Sequence, residues 1–261
     1  MLPYLFRFEL FHHVIALPSF GLMLSIAFSA AYVSSQHMAS WFKIKSEHID
    51  KLFFRVLIGS LIGGRLFHVF FEEPHFYVNN PLEILALWEG GLTFYGGVIG
   101  ALANMLYYNY RHHLSSLVIF DIAAQAAAIG LGIGRIGCFL AGCCWGAPTS
   151  MRWGVVFNNP LSFCPLRGIP IHPTQLYEAA AGFFIFTYLY WRSRHLAYKG
   201  QMFYHGLFLY AACRFIIEFY RADDYRGLLF GNHLSYSQLI SLITMSLIFG
   251  IRCITKQNDS H

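Results

Sequence analysis

The chain has 261 residues, 56% of them hydrophobic and 12% charged, with a mean hydropathy of +0.48. A soluble domain carries about 25% charged residues, so this composition excludes one and describes an integral membrane protein. The formal charge of +5 does not indicate nucleic acid, because the basic residues sit in short segments between apolar runs rather than in one patch.

Taken in order, candidate spans fall at 14–34, 52–71, 95–110, 117–136, 175–191, 203–221 and 236–254. Each approaches the roughly twenty residues that a bilayer requires. The third and fifth are short or polar, so the expectation is an all-α polytopic protein of about seven transmembrane helices. Arg7 alone makes a thin basic leader, and the run from Val14 to Val33 is long enough to span by itself. It reads as an uncleaved first helix, with cleavage after Ser29-Ala30-Ala31 as the lesser alternative.

The connections alternate in charge. Lys43, Lys45, Lys51 and Arg55 lie between the first two spans, and the next loop holds Glu72, Glu73, Glu83 and Glu89 without a cation. Arg111 follows, then a long 138–172 segment with only Arg152 and Arg167. Next come Arg192, Arg194 and Lys199, a loop with Arg226, and finally Arg252 and Lys256. One side thus carries ten basic residues and the other four, Arg7 included. The positive-inside rule places the N-terminus outside and the C-terminus in the cytoplasm. Segment 138–172, rich in Gly, Pro, Asn and Trp, then forms an irregular head on the outer side. No repeat, low-complexity tract or linker divides the chain, so residues 1–261 read as one membrane domain.

Three motifs stand at outer span ends. In the first, Gly90 and Gly91 precede, and Gly96 and Gly97 follow, an aromatic stretch ending in Tyr95. Paired glycines let backbone N–H groups approach an anion. Gly96 and Gly100 also form a small-xxx-small pair suited to plain helix packing. The second is Gly134-Arg135-Ile136-Gly137, a guanidinium inside an apolar run that contains no other charge after Asp121. A charge at that depth is costly without a partner, so it marks a functional site by default. Arginine suits bidentate phosphate binding, although a pairing with Asp121, Glu178 or Glu218 for fold alone is the plainer alternative.

The third is His172-Pro173-Thr174-Gln175-Leu176-Tyr177-Glu178, with Thr174 a candidate cap and His172 a candidate base or phosphate partner. Further on, Arg214 and Glu218 stand at i,i+4, and Arg221 continues their helix face. Several buried cations suggest an anionic ligand, and in a bilayer the obvious anion is a phospholipid headgroup. Cys138, Cys143, Cys144 and Cys164 allow three readings: four metal thiolates, a disulfide to Cys164, or small buried hydrophobes. Adjacent cysteines are poor geometry for one ion, so the last reading is preferred and no metal or cofactor is expected.

Together these motifs resemble the prolipoprotein diacylglyceryl transferase family. The resemblance rests on Gly90–Gly97, Gly134–Gly137, His172–Glu178 and Arg214-Phe215-Ile216-Ile217-Glu218-Phe219-Tyr220-Arg221, with Gly64-Arg65-Leu66 and Ser237-Gln238 also fitting. It implies a seven-helix protein of the bacterial inner membrane and one reaction. A diacylglyceryl group moves from phosphatidylglycerol to the lipobox cysteine thiol of a prolipoprotein signal peptide, releasing glycerol phosphate. The commonest family pattern has His at the place of Tyr95, Asn and Glu at those of Cys138 and Cys143, and Tyr at that of Phe20. The Tyr-Gly-Gly and Gly-Cys-Cys versions together mark a branch.

For that chemistry the expected catalytic residues are Arg135 and Arg214 on the phosphate leaving group, Glu218 orienting Arg214, and Tyr95. Tyr95 is given a hydrogen bond to phosphate, or the acceptor's proton if nearby cations lower its phenol, with His172 or water as the other candidate base. Gly96, Gly97, Gly134, Gly137, Arg221, His172, Gln175 and Glu178 are expected to bind substrate. Three other readings stay open: a phospholipid-binding protein without catalysis, a paralogue with another thiol acceptor, and a thiol-redox protein using Cys143 and Cys144.

Overall fold

The computed structural model describes residues 1–10, 13–86, 90–222, 228–229 and 234–258. Glu89, Arg226 and the side chains of Arg252 and Lys256, named above, lie outside the described residues. Strands β1 (Tyr4–Leu10) and β2 (His13–Pro18) pair antiparallel and lead into α1 (Ser19–Trp41). Then come α2 (Ser46–Phe67) with a π-helical turn over His68–Glu72, the short α3 (Pro74–Asn79), a 3-10 turn at Pro81–Leu85, α4 (Phe94–Arg111) and α5 (Ser116–Ala141). The small pair β3 (Val155–Val156) and β4 (Pro170–Ile171) precedes α6 (Thr174–Arg192) and α7 (Gln201–Ile217). Finally β5 (Leu228–Leu229) and β6 (Leu234–Ser235) pair before α8 (Tyr236–Asn258).

Among the described residues seven helices run 17 residues or longer, one for each expected span. By length and composition, Ser46–Glu72, Ser116–Ala141 and Gln201–Tyr220 are long and apolar enough to cross a membrane. The first expected span needs correcting, because residues 14–18 are strand and the helix begins at Ser19. Length and polarity alone do not separate a short apolar strand from the start of a helix. The boundary is local: Pro18 closes the hairpin, Ser19 donates its N–H to Pro3 O (2.9 Å), and its hydroxyl donates to Leu2 O.

The chain falls into two compact units, Met1–Ser35 with Phe120–His261, and Gln36–Ile119. In the second, α2 and α4 meet backbone to backbone through two glycine pairs. A Cβ on Gly59 would stand 2.7 Å from Gly100 O, one on Gly63 2.8 Å from Gly100 Cα, and one on Gly96 would strike Gly63 O. This is small-xxx-small packing, the plainer of the two readings given for Gly96.

In the first unit, α5 and α6 approach just as closely, with a Cβ on Gly182 only 2.7 Å from Gly132 N. Asp121, fully buried near the start of α5, accepts backbone N–H groups of Gly200 (2.6 Å) and Phe203 (2.9 Å). Gly200 is left-handed (φ 88°) and brings no capping side chain, so a carboxylate from another helix satisfies the first turn of α7. Asp121 is therefore a capping residue and not the partner of Arg135. At α8, Ser235 Oγ accepts from Gln238 N (3.2 Å) and Gln238 Oε1 from Ser235 N (3.0 Å), a reciprocal capping box.

Asp121→Ala leaves two buried N–H groups without an acceptor. It is expected to lower stability by about 2–4 kcal/mol, the sum of a lost cap and an unmet buried donor. Thermal unfolding in detergent checks this, with Asp121→Asn recovering part of the loss.

Candidate active site

The antiparallel contact at Gly132 and Gly182 decides which charges meet. One turn onward from Gly132 stands Arg135, and one turn back from Gly182 stands Glu178, so the helix crossing carries the two side chains towards each other. Arg135 Nη2 lies 2.6 Å from Glu178 Oε2. The other carboxylate oxygen, Oε1, meets Arg214 Nη1 at 2.9 Å and Arg221 Nη1 at 3.1 Å. Arg214 Nη2 turns to Glu218 Oε2 at 2.8 Å and donates to Ser237 Oγ at 3.1 Å.

Three guanidiniums thus converge on one carboxylate that is 3% exposed, with a second carboxylate at 0% behind them. Formal charges give three positive against two negative, a surplus of one. The coverage is uneven: Arg135 and Arg214 keep 20% and 15% of their side chains accessible, against 8% for Arg221. The cluster thus carries one surplus formal positive charge and is accessible at two of its arginines. The expected partnership of Glu218 with Arg214 is present. The centre of the cluster, however, is Glu178, which the sequence reading placed among the substrate contacts.

Arg221 reaches the cluster by a different route from the one expected. Helix α7 ends at Ile217, a 3-10 turn covers Glu218–Tyr220, and Arg221 is extended (ψ 151°) instead of continuing the helix face. It pairs as a β-bridge with Gly146, where a Cβ would strike His172 O and stand 2.8 Å from Tyr220 O. Ala147 N donates to Tyr220 O (2.8 Å) and His172 N to Ala147 O (2.9 Å), so the 142–173 segment is laced to the ends of α6 and α7.

The His172 motif builds this wall. Thr174 is the first residue of α6 rather than its cap, and its hydroxyl donates to Cys144 O at 2.9 Å. Gln175 is buried, with Nε2 donating to Cys143 O at 2.7 Å. Both side chains therefore position the loop after α5. His172 Nδ1 lies 3.1 Å from Tyr177 Oη, which also accepts from Trp153 Nε1 (2.8 Å), and its ring packs against Tyr220. Gly137 backs onto Met23 and Phe20 of α1, whereas a Cβ on Gly134 would meet open space beside Arg135.

Among the described residues the cysteines are free thiols, and the Cys164 thiol donates to Leu166 O (3.8 Å) rather than joining a disulfide. Burial pushes the Cys164 thiol up. Cys138, Cys143 and Cys144 gather with their sulfurs all within 4.8 Å of one another.

In the other unit, Tyr95 stands 60% exposed at the start of α4, next to the packing residue Gly96, while a Cβ on Gly97 would meet Ser60 O at 3.3 Å. Behind this turn lies a residue that the sequence reading used only as part of a motif. Arg65 is buried and donates to the carbonyls of Ile84 (3.0 Å), Ala86 (3.2 Å), Gly90 (2.7 Å), Gly91 (3.3 Å) and Glu83, with its guanidinium over the Tyr77 ring. Its place in an apolar span was the available signal; its hydrogen-bond partners, all backbone carbonyls, carry none.

The prolipoprotein diacylglyceryl transferase family model matches residues 8–254. The chain belongs to that family. Relatives named phosphatidylglycerol–prolipoprotein diacylglyceryl transferase include one from Bordetella parapertussis, 36% identical over 236 residues, covering 87% of each chain. One from Geobacter sulfurreducens is 33% identical, covering 85% of this chain and 84% of the relative. One from Nitrosomonas europaea is 40% identical over 182 residues, covering 68% of this chain and 62% of the relative.

Glu178→Ala should leave three guanidiniums facing one another without their common counter-ion. Breaking a buried ion cluster in this way costs about 3–5 kcal/mol, so the variant is expected to melt far below the wild type in detergent. Glu178→Gln, which keeps the shape and accepts through its carbonyl, should lose clearly less.

Proposed function

We propose that residues 1–261 act as one membrane transferase that moves the diacylglyceryl group of phosphatidylglycerol to the lipobox cysteine thiol of a prolipoprotein signal peptide. The observation that carries this reading is the single surplus positive charge of the Arg135–Arg214–Arg221 cluster around Glu178, left accessible at Arg135 and Arg214. A phosphodiester is a monoanion, and it matches that surplus.

In the reaction the acceptor sulfur attacks the glyceryl carbon that bears the phosphate ester. The S–C bond forms, the C–O bond breaks, and the electron pair leaves on the phosphate oxygen as glycerol phosphate. Negative charge grows on the phosphate in the transition state, so guanidiniums held in place beforehand stabilise that state more than the ground state. Glu178 and Glu218 do the holding: they fix Arg135, Arg214 and Arg221 without cancelling them. The acceptor's thiol proton goes to a base or to water, and the positive field raises its thiolate fraction. The alternation of basic residues along the chain supports an inner-membrane protein with its N-terminus in the periplasm and its C-terminus in the cytoplasm. The seven long helices are then its spans, and segment 138–172 is its periplasmic head.

Purified protein in detergent, given phosphatidylglycerol and a lipobox peptide, should release glycerol phosphate and add a diacylglyceryl mass to the peptide. Arg135→Ala and Arg214→Ala are each expected to lower the rate about 10²–10³-fold, the loss typical of removing one preorganised donor to a developing anion. Lipid binding without any product from the wild type would overturn the reading.

The role of Tyr95 rests on its motif and is tested separately. Tyr95→Phe should cost about 10–100-fold if the phenol only hydrogen-bonds a charged group. A loss that also removes one limb of the pH–rate profile would instead make it the proton acceptor.

A further inference from the structure

We propose that Cys138, Cys143 and Cys144 form a binding site for a thiophilic monovalent metal ion, copper(I), held by three thiolates beside the arginine cluster. The sulfurs lie within 4.8 Å of one another. Metal–sulfur bonds of about 2.3 Å bring the sulfurs of a trigonal or tetrahedral ion about 3.8–4.0 Å apart, so closing the site takes side-chain adjustments of under about 1 Å.

The backbone overcomes the objection that adjacent cysteines suit one ion poorly. Helix α5 ends on Gly142 in the left-handed region (φ 85°), where a Cβ would strike Ser162, and Cys144 is itself left-handed (φ 59°). Two reversals of the chain within three residues fold both thiols back towards Cys138, whose carbonyl accepts from Gly142 N (2.8 Å) and Cys143 N (3.2 Å). The turn is fixed from outside as well, since Gln175 and Thr174 hold the carbonyls of Cys143 and Cys144. A left-handed conformation in a residue with a Cβ persists only where its surroundings impose it.

The donor set selects the ion. The cluster offers sulfur only, with no carboxylate or imidazole among its members, which disfavours magnesium, calcium and manganese and favours copper(I) or zinc. Zinc needs a fourth ligand, whereas copper(I) is satisfied by three. Binding releases the remaining thiol protons to solvent and changes no oxidation state. Three thiolates with one monovalent ion carry two net negative charges, and Arg135 and Arg221 supply the neighbouring positive charge. In the reaction proposed above, on which this consequence rests, a loaded site competes with the phosphate for those guanidiniums and slows transfer.

The test uses the full chain, reduced and anaerobic in detergent, titrated with copper(I) against a chromogenic copper(I) chelator. Bound copper and near-ultraviolet thiolate-to-copper absorption are read directly. One ion per chain should be withheld from the chelator. Cys138→Ser, Cys143→Ser and Cys144→Ser should each weaken binding at least 100-fold while melting like the wild type, and Cys213→Ser should bind normally. The site is overturned if the wild type yields copper as readily as the triple serine variant. It is equally overturned if these thiols re-form a disulfide after reduction and then take up no ion. Copper should slow the transferase in the wild type and not in Cys138→Ser, and an equal effect on both would overturn the coupling. Absence of activity in every form counts against the proposed reaction alone, because copper binding is measured independently of it.

Discussion

Everything at the functional end of the larger unit depends on one buried carboxylate. Glu178 neutralises parts of three guanidiniums that come from three places in the chain: the body of α5, the end of α7 and the extended segment beyond it. Without it, like charges in a poorly screened environment would drive those elements apart. With one further carboxylate, one for each arginine, the formal charges of the cluster would cancel. Two carboxylates for three arginines is the ratio that holds the arginines still and leaves charge for a ligand.

That arrangement constrains the backbone before it constrains the chemistry. Glu178 reaches Arg135 because Gly132 and Gly182 remove the side chains that would hold α5 and α6 apart. Arg221 reaches Glu178 because Gly146 lets the loop lie against the chain after α7. The glycines of this unit therefore serve the charge cluster by permitting close approach. In the smaller unit, the pairs at 59, 63, 96 and 100 do the same for α2 and α4, and Arg65 then gathers the carbonyls of the segment leading towards Tyr95.

Helix positions and the charged site residues were legible in the sequence, because long apolar runs and arginines inside them are strong local signals. The first helix was misplaced, since Val14–Pro18 has the polarity of a span and only its hydrogen bonding makes it a strand. Arg135, Arg214, Arg221 and Glu218 could be named, but not the pattern of pairing. Whether Asp121, Glu178 or Glu218 met Arg135 depended on which helices touched and at what height, and sequence spacing carries no such term. Asp121 illustrates the point: it reads as an intramembrane charge seeking a cation, yet two backbone N–H groups of another helix satisfy it. The hydrogen bonds of Gln175 and Thr174 were hidden for the same reason, because their partners are carbonyls, which every residue possesses.

The departures from the commonest family pattern gain a physical meaning from this geometry. Cys138 is one turn beyond Arg135 on α5, and Cys143 and Cys144 hang from the turn that Gln175 and Thr174 hold against α6. Side chains at these positions share a frame with the arginines and Glu178, so any charge they carry adds to the field at the cluster. A carboxylate there would subtract permanently from a surplus of a single charge. A thiol subtracts only when ionised, and three thiols together subtract according to what they bind. The local sequence therefore leaves the arginine cluster intact while making its net charge responsive to the state of its sulfur neighbours.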